Sequence, residues 1–238
     1  MERIFVVALS ALLGGFAQAV TGFGGAIIIM IFLPLILSMN AAPALSDVIT
    51  MVLSFSMFWR YRKSVRLKPI LLPAGIYLAA STAAIHWSAY FDGRKLKGIF
   101  GLFLIGLSLY FFFFSGKARV KPSPFVGAVC GLAAGICGGF FGISGPPMSL
   151  YYLAAMEKKE EYLGTLNAFF SITVVFNIIA RISNGFLTKN LIPYMGVGIV
   201  AILVGSTWGS RLVERIDRKT MSMCVYGLMA VAGIVAVL

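Results

Sequence analysis

Two glycine-rich breaks interrupt long apolar segments of this chain, and their composition suits the binding of a negatively charged group. The first break is residues 22–25 (GFGG), and the second, about 120 positions later, is residues 142–145 (GISG). Glycine lets the backbone turn into left-handed conformations and leaves nearby N–H groups unscreened by a side chain. A helix that starts at such a break presents free N–H groups and the positive end of its dipole, which together bind oxyanions.

Hydroxyl groups beside the breaks would add further hydrogen-bond donors to such a site. The residues predicted to bind an anion at the breaks are Thr21, Gly22, Gly24, Gly25, Gly142, Ser144 and Gly145. Pro146 is compatible with this prediction, because proline fits the first turn of a helix, where its missing N–H is not needed. The alternative interpretation of the glycines is close helix packing, since small residues let membrane helices approach one another.

Polar residues in the first helix after each break are second candidates. Ser46, Asn167 and Asn177 occupy matched or nearly matched places there, and we include them among the anion-binding candidates. Asn167 would either donate to an anion or bridge two helices. Asp47 is the one carboxylate expected within a span, and an ionisable group inside a membrane is a functional candidate by default. It would act either as a proton carrier or as a partner for its own helix dipole.

Two arginines and the single histidine complete the candidates. Arg60 and Arg181 end equivalent helices, and each would either clamp an anion or extend its charged head to the membrane surface. His86 lies beside Trp87 near a predicted interface. It is a candidate for proton coupling, and the alternative is an interfacial anchor.

The composition places all of these residues in a lipid bilayer. Hydrophobic residues make up 60% of the chain and charged residues 12%, and the mean hydropathy is +0.95, far from the average of soluble proteins. No polar connection is long enough to hold a soluble catalytic or nucleic-acid-binding domain. The net charge of +12 instead reflects short basic loops such as residues 60–68, which mark the cytoplasmic side and contact anionic lipid headgroups. The three cysteines lack metal-ligand spacing, and no cofactor or metal is predicted.

Length and charge together predict that each broken segment is a helical hairpin. As one continuous helix, residues 4–37 would rise about 50 Å, against a hydrocarbon core of about 30 Å. If both broken segments fold back, fourteen of the 20 Lys and Arg residues fall on one side of the membrane. If each crosses once, the bias nearly disappears. The hairpin arrangement therefore agrees with the positive-inside rule, and it leaves open how deep each tip reaches.

The predicted fold is an all-α polytopic membrane protein, a single membrane domain built from two inverted repeats. Each repeat has one hairpin and three helices, an odd count that inverts the second repeat relative to the first. The first repeat, 1–117, contains hairpin 4–38 and helices 42–59, 69–90 and 98–115; the second, 118–238, contains hairpin 125–155 and helices 162–180, 191–208 and 220–238. Both termini are predicted to lie outside the cytoplasm.

These features resemble the TauE/SafE family of sulfite exporters over nearly the whole chain. The resemblance rests on the first break followed by residues 33–35 (LPL), and on residues 142–147 (GISGPP) in the second half. It rests also on the size, on about eight predicted spans, and on the basic loops after Trp59 and Trp208. Ser144 and the Pro146-Pro147 pair depart from the usual glycine-rich pattern, so the selected anion stays open.

The resemblance implies a secondary transporter that moves sulfite or an organosulfonate across the prokaryotic cytoplasmic (inner) membrane. Its partners would be that anion and anionic lipids, and a homo-oligomer stays open. We expect export by alternating access; the alternatives are an anion channel and a proton-coupled importer. An enzyme is not expected, because the spans hold no metal cluster, no paired carboxylates and no nucleophile beside a base. Cys137, close to the second break, is the one residue that would favour an enzyme.

Overall fold

The computed structural model describes residues 1–114 and 121–212, together with Ile234. In that part of the chain the regular structure is helical. Its nine α-helices are α1 (Glu2–Thr21), α2 (Gly25–Phe32), α3 (Ala41–Tyr61), α4 (Lys68–Ser88), α5 (Gly93–Phe114), α6 (Pro124–Phe141), α7 (Gly145–Ala155), α8 (Lys159–Ser183) and α9 (Ile192–Leu212). Short 3₁₀ turns occur at Leu33–Leu35, Arg62–Ser64 and Lys189–Leu191. The predicted helix 220–238 lies outside the described residues.

Six helical segments of the described residues are long and apolar enough to cross a membrane. They are Glu2–Ala19, Ala41–Ser64, Lys68–Ser88, Pro124–Phe141, Lys159–Ser183 and Lys189–Arg211. The all-α polytopic membrane fold predicted from the sequence is thereby confirmed.

Both glycine-rich breaks end one helix and start another. The N–H of Gly22 bonds to the Gln18 carbonyl at the end of α1, where Gly22 has a φ of 90°. Gly142 ends α6 in the same way, with a φ of 68°, and its N–H bonds to the Gly138 carbonyl. A left-handed backbone of this kind is the usual helix terminator and is suited to glycine.

Helices of the first half pack against the second half in nearly the same way as the matching helices of the second half pack against the first. Helix α1 packs most extensively against α9, and α6 packs in the same way against α4, while α3 and α8 form the central pair. Glycines make the outer pairs close: a Cβ at Gly131, Gly135 or Gly139 would lie 2.6–2.8 Å from a carbonyl oxygen of α4. For these residues close helix packing is the role that the structure supports.

The two central helices run antiparallel. Asp47, near the start of α3, bonds to Arg181 near the end of α8. At the opposite end, the N–H of Arg66, which follows α3, donates to the Thr165 hydroxyl near the start of α8. Two hydrophobic clusters flank this pair, one built mainly on α1, α2 and α3 and the other on α4, α7 and α8. Phe23, in the first break, packs against both clusters.

Candidate functional site

The two breaks meet in the interior of the protein. A Cβ added to Gly145 would lie 3.1–3.2 Å from three atoms of Phe23, so the second break is in contact with the first. Between them lies a cavity of about 40 Å³, and we call it the central cavity. Its polar lining comes from both halves and includes Gln18, Asp47, Tyr77, Ser144 and Asn177. By volume it holds about three waters, or one small polyatomic ion.

The helix starts at the two breaks differ in the donors that they offer. In α2 the first intrahelical bond runs from the Ile28 N–H to the Gly24 carbonyl, so the N–H groups of Gly25, Ala26 and Ile27 precede it. In α7 the second and third residues are prolines, which have no N–H. Neither helix start has a side-chain cap. At its first three helical positions the first break therefore presents three N–H groups, and the second presents one, beside the Ser144 hydroxyl.

A polar cluster of Tyr77, Ser144 and Asn177 also lines the central cavity. The Asn177 amide nitrogen donates to the Tyr77 hydroxyl at 2.8 Å, and the Ser144 hydroxyl lies within hydrogen-bonding reach of the same phenol. Asn177 is 2% exposed, and its Oδ1 has no hydrogen-bond partner among the described residues. A buried unpaired acceptor of this kind is uncommon in proteins and calls for a ligand or a water.

A buried ion pair lies beside the second break. Arg181 Nε is 2.7 Å from Asp47 Oδ2, and Arg181 Nη2 donates to the carbonyls of Gly138 and Gly139 at 3.0 Å. Those carbonyls belong to the last turn of α6, where a cation is favoured by the negative end of the helix dipole. Asp47 is 4% and Arg181 1% exposed. The expectation that Arg181 extends its charge to the membrane surface is therefore wrong.

The first break faces a much larger opening. A cavity of about 550 Å³, which we call the vestibule, is lined by Gly22, Arg60, Lys158, Lys159 and Tyr162, among others. Arg60 is exposed, and its guanidinium lies 5.8 Å from the ring centre of Tyr61. The two arginines that end equivalent helices thus differ: Arg60 lines an open cavity, whereas Arg181 is held by a carboxylate.

The remaining candidates lie elsewhere. Ser46 and Asn167 are fully buried but do not line the central cavity; the Asn167 amide nitrogen donates to the Leu163 carbonyl. His86 is exposed near the end of α4, with its Nδ1 3.3 Å from Asn184 Oδ1. The side chain of Thr21 lies outside the described residues.

The two glycines that start α2 and α7 leave space for neighbouring side chains. A Cβ at Gly25 would collide with the Gln18 amide oxygen, and a Cβ at Gly145 would press on Phe23. Gln18 and Tyr77 both line the central cavity, and sequence reasoning missed both. A glutamine within an apolar helix was the available signal for Gln18, whereas nothing in the sequence marks Tyr77.

Comparison with protein-family models gave one match, described as sulfite exporter TauE/SafE, over residues 7–236. Comparison with curated proteins and with solved structures gave no match.

Proposed function

The chain belongs to the sulfite exporter TauE/SafE family, and we propose that it exports a small sulfur oxyanion by alternating access. Sulfite is the first choice of substrate, and an organosulfonate is the second. The observation that carries the proposal is the contact of the two breaks around one polar cavity, with Phe23 against Gly145 and Ser144 in the lining. Irregular backbone at membrane depth is tolerated where it lines such a cavity.

The donors at the breaks support an anion as the substrate. Ala26 and Gly145 both line the central cavity at helix starts, where N–H groups and the helix dipole favour negative charge. The Ser144 hydroxyl adds a side-chain donor. These groups replace part of the hydration that the anion loses on leaving water.

The halves of the protein act as inverted repeats in this proposal. Helices α3 and α8 occupy equivalent places and run antiparallel, as an inverted duplication requires. The outer pairs agree, because α1 packs on α9 as α6 packs on α4. Alternating access would then move one packed group of helices against the other around the central cavity.

The vestibule opens to the cytoplasm in this proposal. The end of α3 and the start of α8 beside it carry Arg60, Lys158 and Lys159, and the ion pair between Arg66 and Glu161 joins the same region at 2.7 Å. By the positive-inside rule, this basic end is the cytoplasmic one. Helix α1 reaches the vestibule at its C-terminal end, so the N-terminus lies on the other side, and we propose the prokaryotic inner membrane as the location.

The ion pair of Asp47 with Arg181 closes the opposite side. It ties α3 and α8 to the last turn of α6 next to Gly142. This arrangement favours a transporter with one open side over an anion channel, which needs a continuous path. Release of the anion requires this pair to separate.

Export requires no coupling ion. An anion that leaves a negative-inside cell gains about 2.3 kcal/mol per charge per 100 mV. A proton-coupled importer would use Asp47, because His86 is exposed and bonded to Asn184 away from both cavities. Contact with anionic headgroups through the basic loops completes the proposal.

The test is uptake into vesicles that contain the purified protein, with sulfite, sulfate, thiosulfate, a sulfonate and chloride as substrates. We expect saturable uptake of sulfite. Uptake that rises linearly with concentration would indicate a channel. Absence of uptake for every sulfur anion would overturn the proposal.

A further inference from the structure

The central cavity contains hydrogen-bond acceptors that a simple anion site does not need. Asn177 lines the cavity, and its Oδ1 is buried and unpartnered among the described residues. Its amide nitrogen donates to Tyr77, so the oxygen is the atom of this amide that is left without a partner. An amide oxygen left in this position repels the oxygens of a fully deprotonated anion and is satisfied by a ligand that carries a hydrogen.

Asp47 supplies a second acceptor to the same cavity. Its Oδ2 is bonded to Arg181, whereas its Oδ1 lies toward the second break, 3.6 Å from the place that a Cβ of Gly142 would occupy. The charge of Asp47 is balanced by Arg181, so the pair adds no net positive charge for a dianion. The cavity is therefore lined both by donors, at Ala26, Ser144 and Gly145, and by acceptors, at Asn177 and Asp47.

We propose that the central cavity selects a protonated monoanion, hydrogensulfite, over anions that have no acidic hydrogen. This inference rests on the proposed function and specifies the form of the substrate. The hydroxyl of hydrogensulfite donates to Asn177 Oδ1 or Asp47 Oδ1, and its two other oxygens accept from the helix starts. Asn177 is thus a specificity-determining residue.

Two physical effects separate the competing anions. An anion without a hydroxyl hydrogen leaves the buried acceptors unpaired, which is the situation that gives hydrogen-bonding sites their strongest discrimination. A dianion such as sulfate also pays a larger desolvation penalty on entering a small cavity whose ion pair is already neutral.

The experiment measures how strongly three anions inhibit uptake of radiolabelled sulfite by vesicles that contain the full chain. One mildly acidic pH is used throughout, where hydrogensulfite predominates, so that Asp47, Tyr77 and Arg181 are in the same state for every anion. The probes are hydrogensulfite itself, methanesulfinate, in which a methyl group replaces the hydroxyl, and sulfate. We expect hydrogensulfite to bind at least tenfold more tightly than methanesulfinate, and sulfate to bind weakest. Equal affinity for hydrogensulfite and methanesulfinate overturns the inference.

A matched pair of variants tests the role of Asn177. Asn177 and Asn167 are both buried in α8 with an unpartnered Oδ1, but only Asn177 lines the central cavity. We expect Asn177→Leu to reduce the preference for hydrogensulfite over methanesulfinate at least fivefold, and Asn167→Leu to leave that ratio unchanged. An unchanged ratio in Asn177→Leu, or an equal loss in both variants, overturns the assignment.

The wild-type measurement needs no variant, so the inference stays testable even if Asn177→Leu does not fold. Saturable uptake with no preference for the protonated anion overturns this inference alone. Absence of saturable uptake for every sulfur anion overturns the proposed function and the inference together.

Discussion

The two breaks carry related sequences, but the structure gives them different surroundings. Gly22 borders an open vestibule near the exposed Arg60, whereas Gly142 lies beside Asp47, which holds the buried Arg181. Counted from the left-handed glycines, Asp47 and Asn167 lie at the same distance along the chain. Replacement of the carboxylate by an amide at that one position leaves Arg60 without the partner that Arg181 has. Related sequences therefore have different surroundings in the same molecule, an exposed arginine near the first break and a buried ion pair near the second.

The largest expected effect comes from breaking the buried ion pair. Arg181→Met leaves the Asp47 carboxylate buried and uncompensated, and we expect it to lower the free energy of unfolding by about 3–5 kcal/mol. The measurement is thermal unfolding of the purified protein in detergent. The matched variant Arg60→Met removes an exposed charge from the equivalent helix and should change stability by less than about 0.5 kcal/mol.

The double variant Asp47→Leu with Arg181→Met separates charge burial from packing. Replacement of both members of a buried pair by apolar residues is often nearly neutral, so we expect it to recover most of the lost stability. If Arg60→Met and Arg181→Met lower the free energy of unfolding equally, the proposed difference between the two breaks is wrong.

Two variants exchange a backbone N–H donor between the two breaks, and they should have the next largest effect. Ala26→Pro reproduces at the first break the Gly-Pro sequence of Gly145-Pro146 and removes one N–H that lines the central cavity. Proline is tolerated in the first helical turn, so the fold should persist. A hydrogen bond to a charged group contributes about 1.5–3 kcal/mol, and we expect the KM for sulfite to rise at least tenfold.

The reciprocal variant Pro146→Ala adds an N–H at the corresponding place in the second break. We expect a lower KM, because the new donor follows Gly145, which lines the central cavity at the start of the helix. The readout for both variants is the initial rate of uptake against sulfite concentration. Unchanged KM values in both would show that the helix starts do not bind the anion.

Much of this difference between the surroundings of the two breaks could not be predicted from the sequence. The breaks were predicted, because the same glycine-rich interruption occurs twice, in apolar segments that are too long to cross the membrane as one helix. The pairing of Arg181 with Asp47 was not, since a surface-seeking arginine and one held by a carboxylate 134 positions away look alike in a sequence. The place of Tyr77 was missed for the same reason: it depends on the close approach of α4 to α6, where the Tyr77 hydroxyl occupies the space that a Cβ of Gly138 would need.

The left-handed glycines give a third and smaller effect. Alanine at such a position costs about 1–2 kcal/mol, so Gly22→Ala and Gly142→Ala should both be destabilised in thermal unfolding. Gly142→Ala should lose more, because its methyl group would lie 3.3 Å from the Pro43 ring, whereas the nearest atom to Gly22 is the mobile tip of Leu163.

Gly185→Ala is the control for backbone strain alone. Gly185 has a φ of 73°, and a Cβ there meets no described atom within 4 Å. We expect it to lose stability without a change in the KM for sulfite. A raised KM in Gly185→Ala would mean that backbone strain outside the central cavity is enough to impair transport.

The smallest effect should come from Arg60 in the vestibule. Arg60 is exposed in the vestibule, where an isolated charge contributes less than about 1 kcal/mol and is screened by salt. We expect Arg60→Gln to raise the KM for sulfite about two- to threefold at low ionic strength, and to have no effect at about 1 M salt, where the Debye length is about 3 Å. The control is Arg62→Gln, at the same end of α3, since Arg62 stacks on Trp59 at 4.2 Å and does not line the vestibule. If the rise in KM for Arg60→Gln does not depend on salt, then Arg60 acts on the anion by direct contact and not by long-range attraction. The arginines near the two breaks would then differ in exposure, but both would act by direct contact.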